Sequence, residues 1–157
     1  MRRPLFFGLA LLATGLDQIS KAVALASLDP FRPVPVLPGF NLTLGFNTGA
    51  SFGIFSGTMA QAPLLMAALT GVLTLFLGWM GLRARHALEG AGFALIAGGA
   101  AGNILDRLRQ GAVTDFLDFY WRDWHWPAFN GADIAIFLGA AAILAAGFRQ
   151  PTEVKDA

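Results

Sequence analysis

Residues 62–82 read APLLMAALTGVLTLFLGWMGL, without one charged side chain. A run of about 20 apolar residues is what an α-helix needs to cross the hydrocarbon core of a bilayer, and this run decides the fold class. Outward from it stand three more apolar blocks of spanning length, at residues 4–28, 87–105 and 131–148. The block at 87–105 is rich in Gly and Ala. Composition agrees: 55% of residues are hydrophobic and 13% charged, against about 25% charged in soluble domains. The expectation is an all-α membrane protein of four transmembrane helices, forming a single domain over residues 1–157.

The first block admits two readings. Arg2 and Arg3 precede an apolar run from Leu5 to Leu16, and Ala24-Leu25-Ala26 offers small residues for cleavage. That is also how a secretory signal peptide reads. Asp17, Gln18 and Lys21 favour a retained helix, because a cleavable signal has no use for an Asp–Lys pair beyond its apolar core. Polar residues inside a span are costly and mark function.

Lys and Arg placement orients the chain. Arg2 and Arg3, Arg83 and Arg85, and Arg149 and Lys155 fall on one side of a four-span protein. The other side carries Arg32, Arg107, Arg109 and Arg122, so the bias is modest. Both termini are expected in the cytoplasm, with the two long connecting segments on the outer, periplasmic face. The first segment, residues 29–61, opens with Pro30, Pro33, Pro35 and Pro38. Phe40-Asn41-Leu42-Thr43-Leu44-Gly45-Phe46 then alternates like a short strand, so a small β-rich cradle is expected between spans one and two. The second segment, residues 106–130, holds Phe116, Phe119, Tyr120, Trp121, Trp124 and Trp126. It reads as an aromatic loop, either an interfacial anchor or a lid over a site at the membrane surface.

Several function classes fall away. A net charge of +1 gives no basis for nucleic-acid binding. With no Cys there is no disulfide, thiolate ligand or Cys nucleophile, and the chain cannot itself carry a Cys-linked lipid. His86 and His125 are the only histidines, too few for a His-rich metal site.

The polar residues near the spans carry the chemistry. Asp17 and Lys21 are four apart and share a helix face; they form a self-neutralising pair, a brace between helices, or both. Asn103-Ile104-Leu105-Asp106-Arg107 closes the third span, either as a polar helix end with an Asp106–Arg109 surface pair or as part of a site. Asn47-Thr48-Gly49-Ala50-Ser51-Phe52-Gly53 is a Gly-supported turn or a binding element. Two carboxylates stand out. Asp115 sits in Val113-Thr114-Asp115-Phe116, and Asp133 follows Asn130 at the start of span four. Asn130 could be an N-cap, with Asp133 at the third helical position, where its charge suits the helix dipole. Two adjacent carboxyls share a proton, so one can act as base toward water while the other protonates a leaving amine.

Taken in order, these stretches resemble the lipoprotein signal peptidase (signal peptidase II) family over nearly the whole chain. Asp17-Gln18-Ile19-Ser20-Lys21 is similar to its D-x-x-x-K element. Asn47 to Phe52 is similar to its N-x-G-A-x-F box, and Gly98 to Arg107 to its G-G-x-x-G-N-x-x-D-R box. Val113 to Phe116 resembles V-x-D-F, and Trp126 to Asp133 lies in a segment similar to W-x-x-F-N-x-A-D. Ser51 and Gly131 depart from the residues usual in the family. The resemblance implies a membrane aspartyl endopeptidase that removes the signal peptide of a diacylglyceryl-modified prolipoprotein, just before the lipidated Cys. It implies Asp115 and Asp133 as catalytic residues, with Asp17, Lys21, Asn47, Asn103, Arg107 and Asn130 binding substrate or supporting the site. It implies no metal or organic cofactor. Its partners would be the prolipoprotein and membrane lipid, in a monomer of the bacterial inner membrane with its site at the periplasmic face.

Two rivals remain. Gly49-Ala50-Ser51-Phe52-Gly53 matches G-x-S-x-G, and Ser51, Asp115 and His125 follow the chain order of an α/β-hydrolase triad. That elbow needs a large parallel sheet, for which four spans leave no room. A small transporter would also place charges in spans, but here the polar residues gather at the outer side.

Overall fold

The computed structural model describes residues 1–49 and 63–148. Ser51, the second half of the Asn47–Gly53 stretch, Arg149 and Lys155 lie outside the described residues. Four helices are long and apolar enough to cross a membrane. They are α1 (Arg3–Ser27), α2 (Pro63–Arg83), α3 (Ala87–Gln110) and α4 (Gly131–Phe148).

In α1 the buried residues are Phe6, Ala13, Asp17, Lys21 and Ala24. Their spacing follows the helical repeat, so they form one stripe, and that stripe packs on α3. The rest of α1 is apolar and outward: Leu11 is 71% exposed. Greasy residues face the surroundings and charged ones face in, the reverse of a soluble bundle and the arrangement a bilayer favours. The segment at Ala24-Leu25-Ala26 is the last stretch of this helix, with Ala24 buried.

Helix α3 is the centre, packed by α1, α2 and α4. Its Gly and Ala content has a geometric reason. A Cβ on Gly92 would lie 2.6 Å from the Gly139 carbonyl oxygen, and one on Gly139 would lie 2.5 Å from that of Gly92. Small residues let helix backbones approach closely enough for dispersion to hold them in lipid. At one end of the bundle Phe6, Phe93 and Ala94 form an apolar core with Leu77, Leu82 and Ile143 against it.

At the other end lies an antiparallel sheet of four strands in the order β1 (Val34–Leu37), β2 (Phe40–Asn47), β3 (Val113–Trp121), β4 (Trp124–His125). The β-rich segment expected between spans one and two is present as β1 and β2, whereas the segment expected as an aromatic loop is itself stranded. The aromatic segment is a hairpin, and its first strand pairs with β2, with Gly45 opposite Asp115 and Asn47 opposite Val113. The two segments therefore form one sheet. The run from Val113 to Trp121 is dense in β-branched and aromatic residues, which suit a pleated surface as well as a membrane interface.

Span ends shift as well. The third helix does not stop at residue 105 but runs to Gln110, ending where Gly111 adopts φ 76° and its N–H reaches the Arg107 carbonyl. This left-handed glycine cap lies beyond the charges that close the apolar block.

Candidate active site

The polar end of the bundle is built on one lysine. Lys21 Nζ lies 2.9 Å from Asp17 Oδ2, 2.8 Å from Asp106 Oδ2 and 2.7 Å from Asn103 Oδ1. Its three donors are thus all engaged, joining α1 to α3. Both readings of the Asp17–Lys21 pair hold: it neutralises itself and it braces. Asp17 also reaches α4, where its Oδ1 accepts the Ala132 N–H at 2.8 Å. The Asp106–Arg109 surface pair does not form. Asp106 is 5% exposed, paired with Lys21, and accepts the Thr114 N–H at 3.1 Å. Arg109 instead donates to Gln18 Oε1, because buried Lys21 offers Asp106 a better-desolvated partner.

Asp115 enters from β3. Phe129 pairs with that strand, its carbonyl accepting the N–H groups of Phe116 and Leu117 at 3.0 and 2.9 Å. This bridge brings Asn130 beside Asp115. Asn130 Nδ2 donates to Asp115 Oδ1 at 2.6 Å and to Asn103 Oδ1 at 3.3 Å. Asn130 also starts α4: its Oδ1 accepts the Asp133 N–H at 3.1 Å, while Asp133 Oδ2 accepts the Asn130 N–H at 3.2 Å. This is a reciprocal capping box, as the N-cap reading expects. Asn103 Nδ2 then donates to Asp133 Oδ1 at 3.2 Å. The two carboxyls are therefore linked through two asparagine side chains.

Asn47 and Arg107 complete the site. Asn47, at the end of β2, hydrogen-bonds Asp115. Arg107 donates to the Asn103 carbonyl at 3.3 Å and the Gly49 carbonyl at 2.6 Å. The eight residues singled out from the sequence thus share one cluster. Gln18 and Asp106 belong to it as well: Gln18 Nε2 donates to Asp106 Oδ1 at 2.9 Å. Gln18, one position from Asp17, shows only as a polar residue inside a span.

Asp115 is 4% exposed. Burial pushes its carboxyl up to about 7, with the Asp133 carboxylate acting in the same direction. The hydrogen bonds from Asn130 and Asn47, and the Lys21 charge, oppose this. A carboxyl in this range exchanges its proton at neutral pH, which suits acid–base work.

Beside Asp133 runs a groove of about 740 Å³ between the sheet and α4. The hairpin supplies Phe119, Tyr120, Trp121, Trp124 and Trp126, and α4 supplies Ile134 and Phe137. The wall is aromatic and open, with Trp121 74% and Phe137 73% exposed.

His125 is apart from this cluster. Its Nδ1 lies 2.9 Å from Asp118 Oδ1, so its carboxylate partner is Asp118 and not Asp115. The triad order Ser51, Asp115, His125 is therefore not the arrangement found for the latter two. In the sequence Asp118 reads only as one acid within an aromatic run.

The signal peptidase (SPase) II family model matches residues 9–149. The chain is 41% identical over 147 residues to a lipoprotein signal peptidase of Yersinia pestis (strain Pestoides F), covering 92% of this chain and 87% of that one. The same figures hold for the lipoprotein signal peptidase of Yersinia pseudotuberculosis serotype O:3 (strain YPIII). Two solved structures of bacterial membrane enzymes share the fold at 24% identity. One has a TM-score of 0.83, covering 99% of this chain and 94% of that chain. The other has a TM-score of 0.77, with 95% and 96% covered.

Proposed function

The chain belongs to the signal peptidase II family, and from that premise we propose that it is an aspartyl endopeptidase whose catalytic pair is Asp115 and Asp133. Lipoprotein signal peptidase activity follows from the family match. The observation that carries the finer reading is the linkage of two carboxyls through Asn103 and Asn130 at the edge of an apolar groove.

The pair shares one proton in the resting enzyme. Ionising both carboxyls here is costly, since each adds charge beside the other in a desolvated site. The ionised carboxyl takes a proton from water, which attacks the scissile carbonyl. The protonated one polarises that carbonyl and then delivers its proton to the leaving amine. Asn103 and Asn130 each donate to one of the two carboxyls and hold them in register. Arg107 and Asn47 fix the β2 end against the same site.

The substrate is a diacylglyceryl-modified prolipoprotein, cut just before the lipidated Cys. Its signal helix and acyl chains both reside in lipid, so the site must open sideways at membrane depth. The peptide must also reach polar groups without leaving backbone N–H and C=O groups unsatisfied in hydrocarbon. An apolar groove meets the first requirement, and the polar cluster it reaches at Asp133 offers partners for the second. The arginine bias supports cytoplasmic termini, with the sheet and site at the periplasmic face of the inner membrane. The enzyme acts as a monomer, without metal or organic cofactor.

The test is cleavage of a diacylglyceryl-modified prolipoprotein in detergent by wild type, Asp115→Asn and Asp133→Asn. Each substitution is expected to lower kcat by at least about 10³-fold while the helices stay folded, the scale of losing a general acid or base. Near-normal turnover by either folded variant would overturn the pair.

A further inference from the structure

The Asp118–His125 pair takes part in no step above, yet it sits at a structural junction. Asp118 is 5% exposed on β3. Its two oxygens lie 2.9 and 3.0 Å from His125 Nδ1 on β4, and Asn41 Nδ2 on β2 donates to it at 3.3 Å. One carboxylate thus ties three strands together. The His125 ring also stacks on Tyr120, its register partner, at 5.5 Å and 23°.

Strand β4 needs such a tie. It is two residues long, and so short a strand holds little structure by itself. The turn before it contains Arg122 at φ 55°, a left-handed conformation that L residues with a Cβ adopt at a cost. Beyond β4, the Trp126 N–H reaches the Phe119 carbonyl at 2.7 Å. Neighbouring side chains on an extended segment alternate between faces. With His125 turned to Asp118, Trp124 and Trp126 are presented to the groove, where they meet edge to face at 5.8 Å.

We propose that Asp118 and His125 are positioning residues that set affinity for the apolar part of the substrate, by anchoring β4 so that Trp124 and Trp126 form the groove wall. The proposal rests on the peptidase reading of the site. Neither residue contacts the carboxyl pair, so the effect belongs to KM and not to kcat.

The experiment uses the full-length enzyme in detergent and two diacylglyceryl peptides spanning the cleavage site, one with long acyl chains and one with short. His125→Ala should raise KM for the long-chain peptide about tenfold, equivalent to about 1.4 kcal/mol, with kcat within about twofold. The rise should be smaller for the short-chain peptide, which a merely structural defect would not produce. His125→Asn places an amide N–H where Nδ1 stood and should recover most of the affinity. His125→Gln keeps bulk and polarity but sets its amide one bond further out, and should behave like alanine. If His125→Ala does not fold, the Asn and Gln variants decide. An unchanged KM, a kcat loss matching the KM rise, or equal rises for both peptides would each overturn the proposal. If wild type cleaves neither peptide, the peptidase reading itself falls. If wild type cleaves and the His125 variants match it, only the positioning role falls.

Discussion

The cluster around Lys21 and the wall around Trp124 lie at the same end of the molecule and obey opposite rules. In the cluster, polar groups are buried and answer one another: the Lys21 ammonium, with its side chain 3% exposed, has three acceptors. In the wall, large apolar rings lie open, Trp124 at 59% and Trp126 at 45% exposure. Apart from Arg107 Nε, which is buried without a partner among the described residues, the cluster's polar groups answer one another within the chain, so removing a member leaves another buried and unpaired. The wall lies open, and on the proposed function the apolar part of the substrate covers it, so removing a member should change what binds. Asp133 belongs to both, bonded to Asn103 on one side and lining the groove on the other.

The sharpest way to break this contrast is Lys21→Met. It strands Asp17 and Asp106 without their cation, and breaking a buried pair costs about 3–5 kcal/mol. A large fall in Tm and loss of folded enzyme from the membrane fraction are expected. Adding Asp17→Asn should restore part of the Tm, a non-additive result that marks residues of one network. Full stability of Lys21→Met would show the cluster to be no more interdependent than the wall.

A proton-linked effect comes next. The Asp115 carboxyl, at about 7, binds its proton more tightly in the folded protein than in the unfolded chain. Its contribution to stability is therefore complete below about pH 4 and is lost as pH rises through about 7. Activity should fall over the same upper range as the shared proton leaves. Asn130→Ser keeps an N-cap oxygen but loses the donation to Asp115 that holds its carboxyl down. The falling limb of the pH–kcat/KM profile should then move to higher pH. A limb that stays in place would separate Asn130 from the titrating group.

The smallest effect belongs to the wall. Trp126→Ala should leave Tm nearly unchanged and raise KM about three- to tenfold, the scale of burying part of an aromatic ring. If Tm drops instead by several kcal/mol worth of stability, the wall is core and the contrast fails.

Much of this was legible in the residues. The charge-free run at 62–82 and the block at 131–148 read directly as helices, because hydropathy reports what lipid requires. Asn130 and Asp133 were readable from capping chemistry alone, and the structure adds that one asparagine both caps α4 and bonds Asp115. What escaped reading depends on contacts far apart in the chain. Asp106 looked like the end of a span, since its partner Lys21 comes from another helix. The strand at Val113–Trp121 was hidden by its aromatics, which suit a membrane interface equally well. Its partner strand is β2, from before two intervening helices. Asp118 and His125 meet only through the hairpin turn, which no spacing rule announces.

The order in which these parts leave the ribosome gives the Asp17–Ala132 hydrogen bond a further meaning. The brace begins in α1, with Asp17 and Lys21, and one of the two carboxyls is carried by α4, the last helix among the described residues. A nascent chain with three helices inserted holds Asp17, Lys21 and Asp106 and still lacks Asn130 and Asp133. On the proposed catalytic pair, proteolytic competence arrives in a single late step, when α4 seats its first turn against α1.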